Sequence, residues 1–424
     1  MVSADTAAVN RLYRQHISRS TARLLKLMGT GVEDRAEGSY IYARDGRRYL
    51  DCGGFGVFLL GHRHPAVVAA VERELATGPL PSRLFHNQTL AEGAAALASK
   101  APDGLEYVYF TTTGSETVDA AVKLGRATGR PRLVAMHGGF HGKTMGAVSI
   151  AGNPIFREPF EPVLPDVHLL PFGQVDALEE VLRAHPGECT VILEPVQNEA
   201  GVISPPPGYL RDVERLCREA GALFVLDEIG TGLGRLGDWW GATQEGVTPD
   251  VLLVGKALTG GVAPAAALVA TPEAFEPLNR DPFIHTTTFS NSPLTAATVR
   301  AVIDVIERED VIGRVRERGA QLMRAFEGIV RDEPAVLAEV RGRGLMIALE
   351  CTDVSLAGDL VFELLARGVA PNLTSGRQRV VRLTPAAFVT EGDVDHLVEA
   401  VAGAVGAVRE RAEASAANYT EAPA

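Results

Sequence analysis

Cysteine is scarce in this sequence, and its few copies lie far apart. The four cysteines among 424 residues are Cys52, Cys189, Cys217 and Cys351, and no pair has the C-x-x-C spacing. Neither a zinc site nor a disulfide framework is therefore indicated, and a reducing compartment fits. The sequence also lacks a signal peptide's apolar core near its start and the ~20 apolar residues of a membrane span. We expect a cytoplasmic protein with no metal centre and no membrane partner.

Positive charge is in deficit as well. The chain has 41 lysine and arginine residues against 53 aspartate and glutamate residues, and its formal net charge is −12. Nucleic acids and anionic membranes bind basic surfaces, so we expect neither as a partner. The rest of the composition, 46% hydrophobic and 22% charged, is ordinary for a soluble globular protein. The length allows roughly two or three domains.

Lysine is rare compared with arginine. Only five lysines occur, namely Lys26, Lys100, Lys123, Lys143 and Lys256, so most basic residues are arginine. Lys256 follows the apolar run Val251–Val254, which predicts a buried strand, and precedes a glycine-rich turn. Lysine can lose its proton and form a Schiff base, whereas arginine cannot. Lys256 is therefore a candidate reactive amine, although a lysine that merely extends from the strand end into water fits the local pattern about equally well.

Strand-like runs alternate with helical patterns through the middle of the chain. The runs are Tyr107–Phe110, Leu133–Met136, Val191–Leu193, Leu223–Leu226, Val251–Val254 and Ala265–Val269, with helical patterns such as Thr117–Thr128 and Tyr209–Glu219 between them. This order predicts an α/β domain with a largely parallel sheet, which binds ligands at the carboxyl ends of its strands. After about residue 295, a long helical pattern to about residue 331 and mixed segments beyond it predict a smaller α+β domain.

The predicted domain boundaries follow these changes of pattern. Residues 1–51 form an N-terminal arm and part of the small domain, residues 52–300 form the large domain, and residues 301–424 form the C-terminal small domain. The last dozen residues are rich in alanine, glutamate and proline, so we expect them to be disordered.

Further residues at predicted strand ends favour a cofactor site. Asp227 ends one strand, and a buried carboxylate needs a cation or hydrogen bonds. The segment Thr111–Glu116 joins a strand to a helix and can offer N–H groups and the Ser115 hydroxyl to a phosphate, although an ordinary helix cap looks the same. An amine, a carboxylate and a phosphate site are what pyridoxal phosphate (PLP) requires. Phe140 is either a flat surface for the cofactor ring or a core residue.

Two glycine-rich segments permit more than one interpretation. Gly53–Phe58, which includes Phe55, fits either a pocket wall or a tight core turn. Gly232–Gly237 matches G-x-G-x-x-G, the fingerprint of dinucleotide sites. That fingerprint lies directly between a strand and a helix, whereas here Asp227 and Glu228 intervene and Asp238–Gly241 is a poor helix start. A nicotinamide site is therefore disfavoured.

Several motifs together resemble one family, the class III PLP-dependent aminotransferases of fold type I. The motifs are TTGSETVDAAVK (112–123), HGGFHGKTMG (137–146), ILEPVQNEAGV (192–202), LDEIGTGLGRLG (226–237), PDVLLVGKALTGG (249–261), HTTTFSNSP (285–293) and VRLTP (381–385). They occur in family order and span nearly the whole chain. The segments Phe85–Gln88, Pro159–Pro165, Ser204–Tyr209 and Pro282–Phe289 are most similar to the putrescine (diamine) aminotransferase branch.

The resemblance implies a fold and a role for each matching residue. The fold would be a large domain with a mostly parallel mixed sheet between helices, plus a smaller α+β domain. Lys256 would form the Schiff base, Asp227 would pair with the pyridinium nitrogen, and Phe140 and Ile229 would sandwich the ring. The remaining roles are phosphate binding by Gly114, Ser115 and, from the second subunit of a homodimer, Thr288; carboxylate binding by Arg382; pairing of Glu199 with Arg382; and a substrate-side wall at Phe55.

The resemblance also implies a reaction, and some departures from the family pattern bear on its substrates. The expected enzyme moves an amino group from a diamine or ω-amine donor to an oxo-acid such as 2-oxoglutarate or pyruvate. Gly230 replaces a usual glutamine, Asn198 a usual glycine, and Ser290–Pro293 and Pro385–Ala387 differ from the usual turns. These positions favour a different acceptor, an aldehyde or ketone of secondary metabolism. A PLP decarboxylase or epimerase on the same fold would also be compatible with the sequence. A non-catalytic protein is disfavoured, because every core cofactor residue of the family is present.

Overall fold

The computed structural model describes residues 4–420 as a protein of mixed helices and strands. The strands are β1 (Glu33–Glu37), β2 (Tyr40–Ala43), β3 (Arg48–Asp51), β4 (Tyr107–Thr111), β5 (Arg132–Met136), β6 (Val167–Leu170), β7 (Cys189–Leu193), β8 (Leu223–Asp227), β9 (Val251–Val254), β10 (Ala266–Ala270), β11 (Leu337–Arg343), β12 (Met346–Cys351), β13 (Val369–Ala370), β14 (Asn372–Leu373) and β15 (Val380–Leu383).

The α-helices flank these strands. They are α1 (Ala4–Leu12), α2 (Arg19–Met28), α3 (Pro65–Thr77), α4 (Gln88–Ala98), α5 (Gly114–Ala127), α6 (Met145–Ser149), α7 (Pro154–Arg157), α8 (Val175–Ala184), α9 (Tyr209–Ala220), α10 (Pro272–Arg280), α11 (Pro293–Arg308), α12 (Val311–Asp332), α13 (Val354–Ala366) and α14 (Glu391–Thr420). A π-helical turn, Tyr13–Ile17, follows α1, and short 3-10 turns occur at Gly54–Gly56, Glu158–Phe160, Gly241–Glu245 and Lys256–Thr259.

A seven-stranded sheet in the order β4-β10-β9-β8-β7-β5-β6 forms the centre of the molecule. Only β10 runs against its neighbours β4 and β9, and all other pairs are parallel. The predicted α/β architecture with a mostly parallel sheet is confirmed.

The strand residues alternate between two apolar cores. In β9, Leu252 and Val254 belong to one core cluster, whereas Val251 and Leu253 belong to another. All four side chains are completely buried. Because successive side chains point to opposite faces of a sheet, a strand covered on both faces is apolar throughout, which explains the uninterrupted apolar runs in the sequence.

The sheet brings distant polar residues to one edge. The parallel strands end on the same side, so Asp227 at the end of β8 lies near Lys256, which follows β9 by two residues. Glu194 follows β7 directly, and α5 begins at Gly114 just after β4. This edge is where ligands of parallel α/β sheets bind.

Two four-stranded sheets accompany the large one, in the orders β1-β2-β3-β13 and β11-β12-β15-β14. The first joins the two ends of the chain, because β13 pairs in parallel with β3 of the N-terminal segment. In the same sheet, β2 and β3 form an antiparallel hairpin. In the second sheet, β15 places Arg382 opposite Ala348 and Asn372.

The C-terminal region differs from the expectation in two places. The helical pattern from 295 to 331 is interrupted, because Asp310 adopts a left-handed conformation (φ 47°) and caps α12 by accepting a hydrogen bond from the Gly313 N–H at 3.2 Å. The disorder expected for the last dozen residues is not observed as far as Thr420, where α14 ends. Alanine and glutamate are good helix formers, and the composition that indicated disorder also suits a helix. Residues 421–424 lie outside the described part.

Residues 4–420 contain neither a membrane-spanning helix nor a metal-binding cluster. None of the helices there has the length and hydropathy to cross a membrane. In the same part of the chain, no group of three or more His, Cys, Asp or Glu side chains could hold a metal ion.

Candidate active site

A cavity of about 320 Å³ opens at the carboxyl edge of the large sheet. Its size falls within the usual range of small-molecule sites, roughly 300–1,000 Å³. Its walls come from seven short segments and consist of Val57, Thr112, Thr113, Gly114, Ser115, Phe140, His141, Gly142, Glu194, Asp227, Ile229, Gly230, Lys256, Thr259 and Ala265. The cavity thus contains Lys256, Asp227, Gly114, Ser115, Phe140 and Ile229, six of the residues singled out in the sequence.

Lys256 projects into this cavity from the end of its strand. The residue has a left-handed backbone conformation (φ 41°) and is partly buried. Burial lowers the pKa of its amine, and the charge of Arg382 lowers it further, against the opposite effect of Glu199, Glu194 and Asp227. A lysine with a lowered pKa is more often neutral, and the neutral amine is the nucleophilic form.

Asp227 is held between a backbone group and a histidine. Its Oδ1 accepts a hydrogen bond from the Ile229 N–H at 3.0 Å, and its Oδ2 lies 2.7 Å from Nδ1 of His141. Burial favours the neutral form of His141, but the hydrogen bond and charge of Asp227 outweigh it, so the pKa of His141 is raised. Nδ1–H of His141 therefore donates to the Asp227 carboxylate beside the cavity.

The start of α5 can accept an anion. Thr113 and Glu116 form a capping box, in which the N–H groups of Thr112 and Thr113 donate to the Glu116 carboxylate at 2.9 and 3.1 Å. The N–H groups of Gly114 and Ser115 have no acceptor among the described residues and face the cavity. With the helix dipole, they form an anion site of the kind that binds phosphates.

A side chain at position 114 would crowd the cavity, because a Cβ there would lie 2.8 Å from Ile229 Cδ1. Ile229 and Phe140 both line the cavity. Phe140 also donates its N–H to Glu194 Oε1 at 3.0 Å, and its ring packs edge-on against Phe156 with centroids 5.1 Å apart. A flat ligand in this cavity therefore has an aromatic and an aliphatic side chain available as neighbours.

Glu194 and His141 were not predicted as site residues, although both lie within the family motifs 192–202 and 137–146. Glu194 is 6% exposed, and its Oε2 accepts a hydrogen bond from the Asn198 N–H at 3.1 Å. Burial raises the pKa of Glu194 to about 7; the nearby Asp227 adds to this, and His141 and two backbone N–H groups oppose it. The position of Glu194 directly after a predicted strand was the signal that could have identified it.

Arg382 and Glu199 form a buried ion pair beside the main cavity. Arg382 is completely buried, and its Nη1 lies 2.7 Å from Glu199 Oε1 and 2.9 Å from Asn198 Oδ1. Its Nε and Nη2 have no partner among the described residues. Burial works against ionisation of Glu199, but Arg382, Lys256 and the Ser375 N–H outweigh it and lower the pKa of Glu199.

Two predicted site residues lie apart from the cavity within this chain. The Phe55 side chain is 69% exposed, and Val57 of the same segment lines the cavity instead. Gly56 brings the backbone of that segment close to Lys256, since a Cβ on Gly56 would lie 4.0 Å from Lys256 Cδ. Thr288 is exposed and lies on a loop. Its backbone oxygen accepts a hydrogen bond from Arg83 Nη2 at 3.3 Å.

The residues of the cavity fit pyridoxal phosphate. The Gly114 and Ser115 N–H groups suit its phosphate, and the carboxylate of Asp227 suits a protonated ring nitrogen. Lys256 is the amine within the cavity, and Phe140 and Ile229 line the same cavity, so both side chains are available to a flat ring. A nicotinamide dinucleotide does not match this donor set, because the G-x-G-x-x-G segment contributes nothing to the cavity lining.

Comparison with known proteins agrees with this geometry. Residues 28–405 match the family model described as Aminotransferase class-III. An ornithine aminotransferase from Toxoplasma gondii, crystallised with partial occupancy of PLP at its active site, is 29% identical, with a TM-score of 0.87 and coverage of 95% of this chain and 94% of that one.

Two transaminases are similar over comparable lengths. An amine transaminase from an uncultivated Pseudomonas species is 28% identical, with a TM-score of 0.82 and coverage of 89% of this chain and 95% of that one. A transaminase from the marine bacterium Virgibacillus has a TM-score of 0.88 at 24% identity, with coverage of 95% and 99%, and shows the fold alone. The predicted type I fold is thereby confirmed, and the chain belongs to the class III aminotransferase family.

Proposed function

We propose that this aminotransferase moves an amino group from a diamine or another ω-amine donor to an oxo-acid such as 2-oxoglutarate or pyruvate. The observation that carries this proposal is the buried Arg382, which has one nitrogen paired with Glu199 and two nitrogens, Nε and Nη2, without partners among the described residues. Two adjacent guanidinium nitrogens match the two oxygens of a carboxylate, which an oxo-acid acceptor supplies.

The chain's own residues hold the cofactor and move the proton. Pyridoxal phosphate, when bound, supplies an electron sink that makes the C–H bond next to the amino group acidic. The Lys256 amine acts as the base that takes the proton from that carbon. A lowered pKa suits this role, because the amine is then more often neutral. Asp227 would hold the ring nitrogen of the cofactor, and the start of α5 would hold its phosphate.

Glu199 allows one pocket to receive two unlike substrates. An acceptor carboxylate gains a charge-assisted pair with Arg382, whereas the far ammonium group of a diamine would meet a like charge there. When the donor is bound, the Glu199–Arg382 pair remains closed and cancels the positive charge. When the acceptor is bound, its carboxylate either displaces Glu199 from Arg382 or shares Arg382 with Glu199.

Arg382→Ala tests the proposal. Loss of a charged hydrogen-bonded contact costs about 3 kcal/mol, so the rate of the acceptor half-reaction with 2-oxoglutarate should fall by about 10²-fold. The donor half-reaction with a simple diamine should change much less, and single-turnover absorption spectra measure the two separately. Arg379→Ala, which removes an arginine paired with Glu350 outside the cavity, is the matched control. Equal losses in both half-reactions would make Arg382 a structural residue.

A second candidate function is supported by a second cavity. This cavity of about 450 Å³ has a largely apolar lining of Ile155, Phe156, Val354, Gly358, Leu373, Thr374, Ser375 and Gln378. It adjoins the site, because Phe156 packs on Phe140 and the Ser375 N–H donates to Glu199 at 3.1 Å. It would accommodate a bulky aldehyde or ketone acceptor, and Arg382→Ala would then leave both half-reactions almost unchanged. Stoichiometric consumption of an amino acceptor distinguishes either transaminase from a decarboxylase or epimerase.

The proposal includes a cytoplasmic homodimer with shared sites. Large apolar side chains are exposed on two neighbouring segments, with Leu84 and Phe85 at 85% and 81% and Phe283 at 77% exposure. Arg83 links the two segments through hydrogen bonds to the 287–288 backbone. Exposed apolar clusters of this kind are typical of protein interfaces. In such a dimer, Thr288 would contact the phosphate bound by the other subunit.

A further inference from the structure

Asn198 lies between the carboxylate-binding arginine and the reactive lysine. The residue is 2% exposed, and its backbone N–H donates to Glu194 Oε2 at 3.1 Å. Its backbone and side-chain oxygens accept hydrogen bonds from Arg382 Nη1 at 3.3 and 2.9 Å. These contacts fix both the backbone and the side chain of Asn198, so its carboxamide has a defined direction.

The contact with Arg382 determines that direction. A guanidinium group only donates hydrogen bonds, so the carboxamide atom that faces it is the oxygen. Nδ2 therefore points away from Arg382, and it donates to no group in the described part of the chain. A donor that has no acceptor within the protein and lies beside a cavity is available to an atom of a bound ligand.

Gly230 shows where Nδ2 points. A Cβ at position 230 would lie 3.2 Å from Asn198 Nδ2 and 3.2 Å from Lys256 Nζ. Nδ2 thus adjoins the space that a side chain at position 230 would fill, next to the reactive amine. Gly230 and Lys256 both line the main cavity. A long polar side chain at position 230 and the carboxamide of Asn198 compete for the same place.

We propose that Asn198 is a specificity-determining residue whose Nδ2 donates a hydrogen bond to an oxygen of the molecule bound against Lys256, in the space that Gly230 leaves free. This inference rests on the proposed function and extends it to a residue outside the Arg382–Glu199 pair. The oxygen belongs either to the cofactor or to the acceptor substrate. Because Oδ1 holds Arg382 while Nδ2 faces the lysine, one carboxamide links carboxylate binding to the reacting centre.

The test uses Asn198→Ala, Gly230→Gln and the double variant, each loaded with PLP. If the oxygen belongs to the cofactor, Asn198→Ala shifts the pH midpoint of the visible absorption change, measured without substrate, by about one unit. If it belongs to the acceptor, the absorption titration is unchanged and KM for the acceptor rises by about tenfold. Either result supports the proposal.

The double variant tests the shared space. In the single variant Gly230→Gln, the new Cβ lies against Asn198 Nδ2. We therefore expect Gly230→Gln to lower PLP affinity more in the wild-type background than in the Asn198→Ala background. In the double variant, the new carboxamide enters from position 230 and should restore the wild-type absorption midpoint or KM. An equal effect of Gly230→Gln in both backgrounds would overturn the proposal.

Glu199→Gln is the control for effects transmitted through Arg382, because it weakens the other contact of Nη1 and leaves Asn198 Nδ2 in place. The proposal is refuted if Glu199→Gln reproduces every effect of Asn198→Ala. It is also refuted if Asn198→Ala has the absorption, PLP affinity and KM of the wild type. If Asn198→Ala does not fold, Asn198→Ser takes its place in the same measurements, because serine keeps a hydroxyl toward Arg382 but lacks Nδ2. The absorption titration needs no amine donor, so a wrong substrate assignment would be distinguished from a wrong role for Asn198.

Discussion

Glu194→Gln gives a quantitative test of the electrostatics of this site. Glu194 is 6% exposed, and burial raises its pKa from the ordinary value of 4.5 to about 7. The folded protein therefore binds this proton more tightly than the unfolded chain does. The resulting stabilisation is fully present below pH 4.5 and is lost as the pH rises through about 7.

The size of the effect follows from the two pKa values. The difference between about 7 and 4.5 corresponds to about 3 kcal/mol, most of which is lost between pH 5 and pH 8.5. Glutamine is neutral throughout, so Glu194→Gln lacks this pH dependence. The variant loses an acceptor for the Phe140 or the Asn198 N–H, which costs about 1–3 kcal/mol at every pH and cancels from the comparison.

Urea unfolding of the cofactor-free protein at pH 5 and pH 8.5 measures the free energy of unfolding at each pH. It therefore separates the pH-dependent loss of stability from the constant cost of the substitution. Trp239 and Trp240 are the two tryptophans of the chain, and their fluorescence reports the transition. The free energy of unfolding of the wild type should fall by about 2–3 kcal/mol more than that of Glu194→Gln. Glu219→Gln, at an exposed position on α9, should follow the wild type. Parallel pH dependence of wild type and Glu194→Gln would refute the raised pKa.

Three further predictions concern the cofactor and the dimer. Lys256→Arg should keep the fold but lose turnover and the covalent PLP label left by borohydride reduction, because guanidinium cannot form the linkage; a label on Lys123 in the wild type would contradict the assignment. Asp227→Asn should retain PLP but lower turnover by about 10²-fold, since the charge facing the ring nitrogen is lost, and near-normal turnover at full PLP content would argue against that role. Addition of PLP should shift the monomer–dimer equilibrium toward the dimer, and Thr288→Val should weaken that shift in sedimentation experiments; a fully active monomer would exclude shared sites.

The residues at strand ends were predictable because a strand buried on both faces is a local pattern. Four consecutive apolar residues in β9 belong alternately to two cores, and that run ends just before Lys256. The same reasoning located Asp227 at the end of β8. Each prediction needed only a few neighbouring residues and the general rule that parallel strands present their carboxyl ends at one edge.

Local sequence patterns did not predict the electrostatic partners, because these residues meet across long stretches of sequence. His141 pairs with Asp227 from 86 residues away. The pair of Arg382 and Glu199, 183 residues apart, was expected only from the family resemblance. No local pattern separates such a histidine from one that fills a core. The orientation of Asn198 depends likewise on a contact with Arg382, which only the folded sheet provides.

The G-x-G-x-x-G segment illustrates why a short motif needs its structural context. A dinucleotide site requires free backbone N–H groups, but here the N–H groups of Gly232, Leu233 and Gly237 donate to carbonyls of the same region at 2.9, 2.6 and 2.8 Å. The segment instead presents Arg235, which is 1% exposed and donates to three carbonyl groups from distant parts of the chain, those of Leu345, Pro385 and Gly56.

Burial lowers the pKa of Arg235 to about 10, so the guanidinium remains charged at neutral pH. Its carbonyl partners lie in the C-terminal region and in the segment that contacts Lys256, at distances of 2.7–3.3 Å. A planar cation with five N–H donors can join three backbone segments in a fixed geometry, which a lysine ammonium would not match. The glycines allow the tight turn that brings this arginine inside, and the turn therefore positions the wall beside the reactive lysine instead of binding a phosphate.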